Sequence, residues 1–172
     1  MNDLERAVQE FLALDRIAIV GVSRDTRQPA NLVYRTLRQA GYAVFAVNPN
    51  AERLEGDPCY PGVSSIPGGV RGAVIFTRPE AAAAAVDACA AAGVERVWLH
   101  RSFGAGSVSE DAVERCRHHG LAVIPGACPM MFHKPVDPGH ACMRWVLRWT
   151  GGLPRPLEPE PRSRAVGGGA AR

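Results

Sequence analysis

Short apolar runs recur along the chain with no polar alternation inside them. Residues 17–20 (Ile-Ala-Ile-Val), 43–47, 73–76 and 121–124 have this character, as do residues 96–99 after their leading Arg96. Uninterrupted apolar runs of this length mark strands buried on both faces, as in parallel sheets. Between them the period changes to that of a helix. Leu4, Val8, Phe11 and Leu12 form a stripe before the first strand. Residues 31–40 read as a helix with Leu32, Val33 and Leu37 inward, followed by Gly41 as a C-terminal stop. An Ala-rich stretch opens at Pro79-Glu80 and is stopped by Gly93. Ser107-Val108-Ser109-Glu110 has capping-box spacing and opens a helix that closes at Gly120. A last helix is predicted over 138–149, where Trp145 and Trp149 stand four apart as a stripe expected to pack in the core. Residues 50–70, rich in Gly and Pro, read as a loop.

Strands alternating with helices imply βαβ units. The expected fold is α/β, a doubly wound parallel five-stranded sheet in the order 3-2-1-4-5. Residues 1–150 form the expected domain, and the Pro- and Gly-rich residues 151–172 an expected disordered tail. In such sheets ligands bind beyond the carboxyl ends of the strands, beside strand one. That rule selects Gly21-Val22-Ser23, Asn48-Pro49, Thr77-Arg78, His100-Arg101 and Gly126.

Composition narrows the partners. The chain is 47% hydrophobic and 22% charged, ordinary for a folded domain. Of its net charge of +3, the four arginines and two glutamates beyond Thr150 supply two units. No basic stripe with interleaved aromatics remains, so a nucleic-acid partner is not expected. The five cysteines, an odd number without a CxxC pair, fit reduced thiols in a cytoplasm. The N-terminus lacks the basic and apolar regions of a signal peptide, and no apolar run has membrane-spanning length.

Gly21 ends the first strand where the chain must turn tightly, and a glycine also lets backbone approach a ligand. Ser23 adds a hydroxyl, and Arg24 and Arg27 are close enough in sequence to neutralise phosphate charge. Asn31 can hydrogen-bond or cap the following helix. A dinucleotide fingerprint needs G-x-G-x-x-G and an acid about twenty residues further on. Here Ser23 and Thr26 replace the later glycines, and strand two ends in Asn48-Pro49 without a carboxylate. NAD is therefore disfavoured. An NADP-dependent oxidoreductase stays open, since Arg24 or Arg53 can meet a 2′-phosphate.

Ile19-Val20-Gly21-Val22-Ser23, a proline-bearing loop, Gly41-Tyr42-Ala43-Val44 and Val47-Asn48-Pro49 resemble the small stand-alone CoA-binding domain proteins. Val74-Ile75-Phe76-Thr77-Arg78-Pro79, Val97-Trp98-Leu99 and Cys128-Pro129 extend the resemblance over residues 10–132. It implies a Rossmann-like domain, related in fold to the CoA-binding part of succinyl-CoA synthetase α subunits, that binds coenzyme A or an acyl-CoA. It further implies that Gly21 and Ser23 meet the pyrophosphate, Asn48 and Pro49 border the adenosine, and Thr77, Arg78 and Pro79 line the cleft. The family's Arg-Pro-Ser loop is Gln28-Pro29-Ala30 here, with Arg27 alongside.

Other constellations carry less. Cys128 suits a small buried hydrophobe, with a thiol switch that pairs covalently with CoA as the alternative. Cys128, His133, His140 and Cys142 lack the familiar zinc spacings, so no metal is expected. Gly139-His140-Ala141 resembles the phosphohistidine triplet of succinyl-CoA synthetases by chance. No nucleophile, base and orienting acid stand together, so binding without evident catalysis is the expectation, with the protein partner unknown.

Overall fold

The computed structural model describes residues 2–102 and 106–159. Helix α1 (Asp3–Leu12) leads into β1 (Arg16–Val20), α2 (Pro29–Gln39) and β2 (Ala43–Val47). A hairpin follows, β3 (Arg53–Leu54) and β4 (Asp57–Tyr60), then β5 (Gly72–Ile75), α3 (Pro79–Ala91) and β6 (Arg96–Leu99). The chain closes with α4 (Glu110–His119), β7 (Ala122–Pro125) and α5 (Pro138–Thr150). The fold is α/β and Rossmann-like. Its sheet, however, has seven strands in the order β3-β4-β2-β1-β5-β6-β7. Every pairing is parallel except β3 with β4.

This corrects the expected five strands in the order 3-2-1-4-5. The run expected as the third strand is β5, and it pairs with β1 on the edge away from β2. The place beside β2 belongs to β4, inside the segment read as a loop. That hairpin turns on Glu55 (φ 53°) and Gly56 (φ 86°), two consecutive positive φ angles. Such turns usually announce themselves as Asn-Gly or Asp-Gly, and Glu-Gly hides the signal. Pro58 within β4 further disguises it as non-strand.

Side chains of the sheet alternate between two cores. Ile17, Ile19, Val74, Trp98 and Ile124 pack under α1 and α2, with Phe11, Val33, Tyr34 and Leu37. Ala18, Ala73, Ile75, Val97, Leu99 and Val123 pack under α3 and α4. Strand period two sends alternate residues to opposite faces, which is why the runs had to be apolar throughout. On α2 the inward stripe is Ala30, Val33, Tyr34 and Leu37, whereas Leu32 is exposed. A turn of 100° per residue cannot bury Leu32 and Val33 as well as Leu37 on one narrow face. The α4 cap is Ser109, whose side chain accepts from the Ala112 N–H, two residues later than Ser107.

Two further expectations change. Trp145 and Trp149 are 62% and 81% exposed and stack on each other, not on the core. Of the expected tail, residues 151–159 are described, and Leu157 exchanges two backbone hydrogen bonds with Val123 at the β7 edge. Residues 160–172 lie outside the described residues. Among the described residues no helix is long and apolar enough to cross a membrane.

Phe11 meets the buried Trp98 edge-on at 5.4 Å and is 1% exposed. Phe11→Ala therefore leaves a cavity against the sheet and is expected to lower stability by about 3–5 kcal/mol, read from urea unfolding. A loss well under 1 kcal/mol would mean that α1 is not anchored here.

Candidate functional site

The register of the sheet builds the site. Val20 lies opposite Val47 and Ile75, Ile75 opposite Leu99, and Leu99 opposite Pro125. All five strands thus end level, and the residues after them share one edge. Gly21 leaves β1 with φ 102°, its N–H bonded to the Val47 carbonyl at 2.9 Å. A methyl group there would sit 3.2–3.3 Å from the Phe76 backbone and Cβ. Glycine is required both by φ and by the closeness of the β5 exit.

The loop after Gly21 is held from three sides. Asn31, fully buried in the first turn of α2, accepts from the Ser23 N–H at 2.9 Å and donates to the Ser23 carbonyl at 2.8 Å. Its amide also donates to Glu55 on the β3–β4 turn at 2.6 Å, and Arg35 neutralises that carboxylate at 2.8 Å. Asn48 donates to the Val22 carbonyl at 2.8 Å and accepts from the Asn50 N–H at 2.8 Å. Arg24 donates to the Asn50 carbonyl. The Ser23 hydroxyl accepts from the Asp25 N–H at 3.1 Å, which leaves its own proton free to donate outward.

The loop borders a cleft of about 530 Å³. Gly21 and Ser23 form its floor beside Phe76, with the start of α2 on one side and the start of α3 on the other. Gln28, Pro29 and Ala30 come from α2; Thr77, Arg78 and Pro79 lead into α3. The far wall is His100, Ser102 and Ser107. Neither α2 nor α3 has a side-chain cap, whereas α1, α4 and α5 are capped by Asn2, Ser109 and Asp137. The first N–H groups of a helix lack partners inside the helix and carry its positive dipole end. The Thr77 hydroxyl is buried at this cleft without a hydrogen-bond partner, while Ser107 donates to the Thr77 carbonyl at 2.6 Å.

Six of the sequence candidates therefore line the cleft: Gly21, Ser23, Thr77, Arg78, Pro79 and His100. The others do not. Val22 is fully buried in the core, and Asn48 spends its amide on the loop while Pro49 is exposed. Arg27 pairs with Asp25 at 3.0 Å on the surface and is 88% exposed. Gly126 and Cys128 are buried behind the wall; the Gly126 carbonyl accepts from the Trp98 indole at 2.8 Å. Burial pushes the Cys128 thiol up to about 11. A covered, protonated thiol is a poor nucleophile, so the switch that pairs it with CoA has neither access nor thiolate. Among the described residues no three His, Cys, Asp or Glu side chains converge on a metal position.

In the sequence Phe76 reads only as part of a strand run and Ser107 only as a helix cap, and Ser102 carries no signal. His100 was accessible only through the strand-end rule. It stacks on Phe76 at 4.3 Å, and its Nε2 meets the Ser102 hydroxyl at 2.9 Å. Burial, with the charge of His140 adding to it, pushes His100 down to about 4. A base that weak is mismatched to general-base work near neutrality. No carboxylate hydrogen-bonds His100 among the described residues.

Residues 15–134 match the family model described as "CoA binding domain". The chain belongs to the CoA-binding domain family. This CoA-binding domain is 27% identical over 126 residues to acetate–CoA ligase (ADP-forming) I of Archaeoglobus fulgidus. The match takes in 70% of the chain but only 18% of the ligase. It is 25% identical to the uncharacterized protein YneT of Bacillus subtilis, covering 77% of this chain and 96% of YneT. A hypothetical protein from Pyrococcus horikoshii OT3 superposes with a TM-score of 0.70 at 28% identity, over 77% of this chain and 91% of that one.

Two outcomes follow from the site of this CoA-binding domain. Gly21→Ala is expected to destabilise it by on the order of 2 kcal/mol, through the positive φ and the contact with Phe76, measured by urea unfolding. The second concerns His100. Its folded value lies near 4 against an ordinary 6.5, so the unfolded chain takes up a proton that the folded chain refuses. Stability is therefore lost as pH falls from about 6.5 to 4, by up to ~3 kcal/mol, and is flat in this respect above and below. His100→Gln should remove that part of the slope. Parallel pH profiles for both proteins would show that His100 is not held neutral by the fold.

Proposed function

We propose that the cleft binds coenzyme A or an acyl-CoA, with the pyrophosphate between the starts of α2 and α3. The observation that carries this reading is the pair of uncapped helix N-termini. Of the five α-helices among the described residues, only these two lack a side-chain cap, and both open on one cleft. An anion seated there completes both helices at once. Each interaction of this kind is worth up to ~2 kcal/mol in a partly buried setting.

Three neighbours add to it. The Thr77 hydroxyl has no partner of its own, the Ser23 hydroxyl keeps a free donor proton, and Arg78 stands at the mouth. Membership of the CoA-binding domain family supports CoA over other phosphate-bearing ligands. So does the end of β2, where Asn48 holds the loop and no acid is available for a ribose in the manner of NAD enzymes. The chain corresponds to less than a fifth of the Archaeoglobus ligase, so the reading is of binding.

Isothermal titration with CoA, acetyl-CoA, NAD and NADP tests it. CoA and acetyl-CoA should bind one to one, and the nicotinamide cofactors should not. Ser23→Asp sets a carboxylate against the pyrophosphate and should weaken CoA by more than tenfold while leaving the melting temperature close to wild type. Thr77→Val removes one hydrogen bond to a charged group and should cost roughly tenfold. Binding of NADP with none of CoA would overturn the reading. Unchanged CoA affinity in Ser23→Asp would move the phosphates elsewhere.

A further inference from the structure

Among the described residues four large hydrophobic side chains are exposed, and three of them are on α5: Trp145, Val146 and Trp149. The two indoles stack with centroids 6.0 Å apart and planes 11° from parallel. No residue of α5 is fully buried; Met143 and Leu147 alone on the helix reach the core edge. The family match ends at residue 134 and α5 starts at Pro138, so this helix lies beyond the matched segment. Unlike the Trp98 indole, which is buried and hydrogen-bonded, these two rings are left largely uncovered by the described residues.

The charges around the rings decide what fits. Between α1 and α5 runs a groove of about 450 Å³. One wall carries Glu5, and the other carries Arg144, Trp145 and Arg148. Residues 138–150 contain no acid at all. Among the described residues neither Arg144 nor Arg148 has a carboxylate partner, and Glu5 has no cationic one. Glu5 is used only in its own helix cap, and Arg144 lies over the Phe132 ring. A patch with unpaired acid on one wall and unpaired base on the other is complementary to itself under a two-fold rotation. This is the requirement of an isologous interface.

The geometry points to a homodimer in which the α1–α5 face of one chain packs on the same face of a second copy. The indoles of each chain cover the other's groove, and Glu5 of each copy meets Arg148 of its partner. Tryptophans bury roughly 150–250 Å² each. Four of them, at the exposures seen, remove on the order of 700 Å² before the groove walls are counted. With those walls the contact approaches the ~1,200 Å² of a small specific interface. A lipid surface is less well matched, because Glu5 stands in the same patch.

Analytical ultracentrifugation over a wide range of concentration tests this on the full chain. The wild type should sediment as a dimer that dissociates on dilution. Trp149→Glu, at an exposed position, should be monomeric with an unchanged circular dichroism spectrum. Arg148→Glu and Glu5→Arg should each be monomeric alone, since each sets like charges opposite one another. Mixed together they should form a heterodimer, because one ion pair is then native and the other is restored in reverse. A wild type that is monomeric at every concentration overturns the proposal, as does a Trp149→Glu variant that still dimerises. Failure of the mixed pair to associate overturns the two-fold pairing. Co-sedimentation of a monomeric wild type with anionic vesicles would assign the face to lipid instead.

Discussion

β1 is hydrogen-bonded along both edges, to β2 and to β5, and the helices that follow β1 and β5 cover opposite faces of the sheet. The crossover through α2 lies over one core and the crossover through α3 over the other. Right-handed crossovers permit this arrangement only with both helices starting at the same sheet edge. The consequence is a gap beyond the end of β1 that no side chain of the sheet can fill. Every other property of the site follows from that gap. Two helix N-termini open on it, and Gly21 lies against the backbone of Phe76.

The loop that floors the gap is rigid for reasons that lie mostly outside it. Asn31 takes both backbone groups of Ser23, Asn48 takes the carbonyl of Val22, and Arg24 takes that of Asn50. Residues that look like ligand contacts in sequence thus act on the protein. Holding the loop in one conformation removes the ordering cost a ligand would otherwise meet. Asn31 extends the brace to Glu55, so the hairpin that completes the sheet also supports the cleft. A buried amide with every group satisfied is tolerated at little cost, whereas a half-satisfied one is not.

The two ends of the molecule are treated differently. At the carboxyl edge, the Thr77 hydroxyl without a partner and the α2 and α3 starts without a side-chain cap face a concave space. On the α5 face, the unpartnered groups are apolar rings and long charged side chains on an open surface. The first pattern suits a small anionic ligand and the second a macromolecular surface. Their physical difference is desolvation: a cleft concentrates hydrogen-bond donors, while an exposed aromatic face gains chiefly by excluding water.

The apolar runs determined by themselves that the fold would be a parallel sheet covered on both faces. Strands buried on two sides leave no other composition, and that signal is local. The strand-end rule and Gly21 likewise located the cleft, since a tight turn after a buried strand needs a residue tolerant of positive φ. The order of strands was not legible. It depends on β4, a short strand with a proline in it that is stabilised by pairing with β2 rather than by its own residues. Nor could sequence divide Asn48, Arg24 and Arg27 from Ser23 and Thr77. All carry groups that bind phosphate, and for Arg24 and Asn48 the partner that satisfies the side chain lies more than 20 residues away. The tryptophans of α5 show the same limit from the other side. Their spacing specifies one face of a helix, and only the tertiary structure decides whether that face meets the sheet or the solvent.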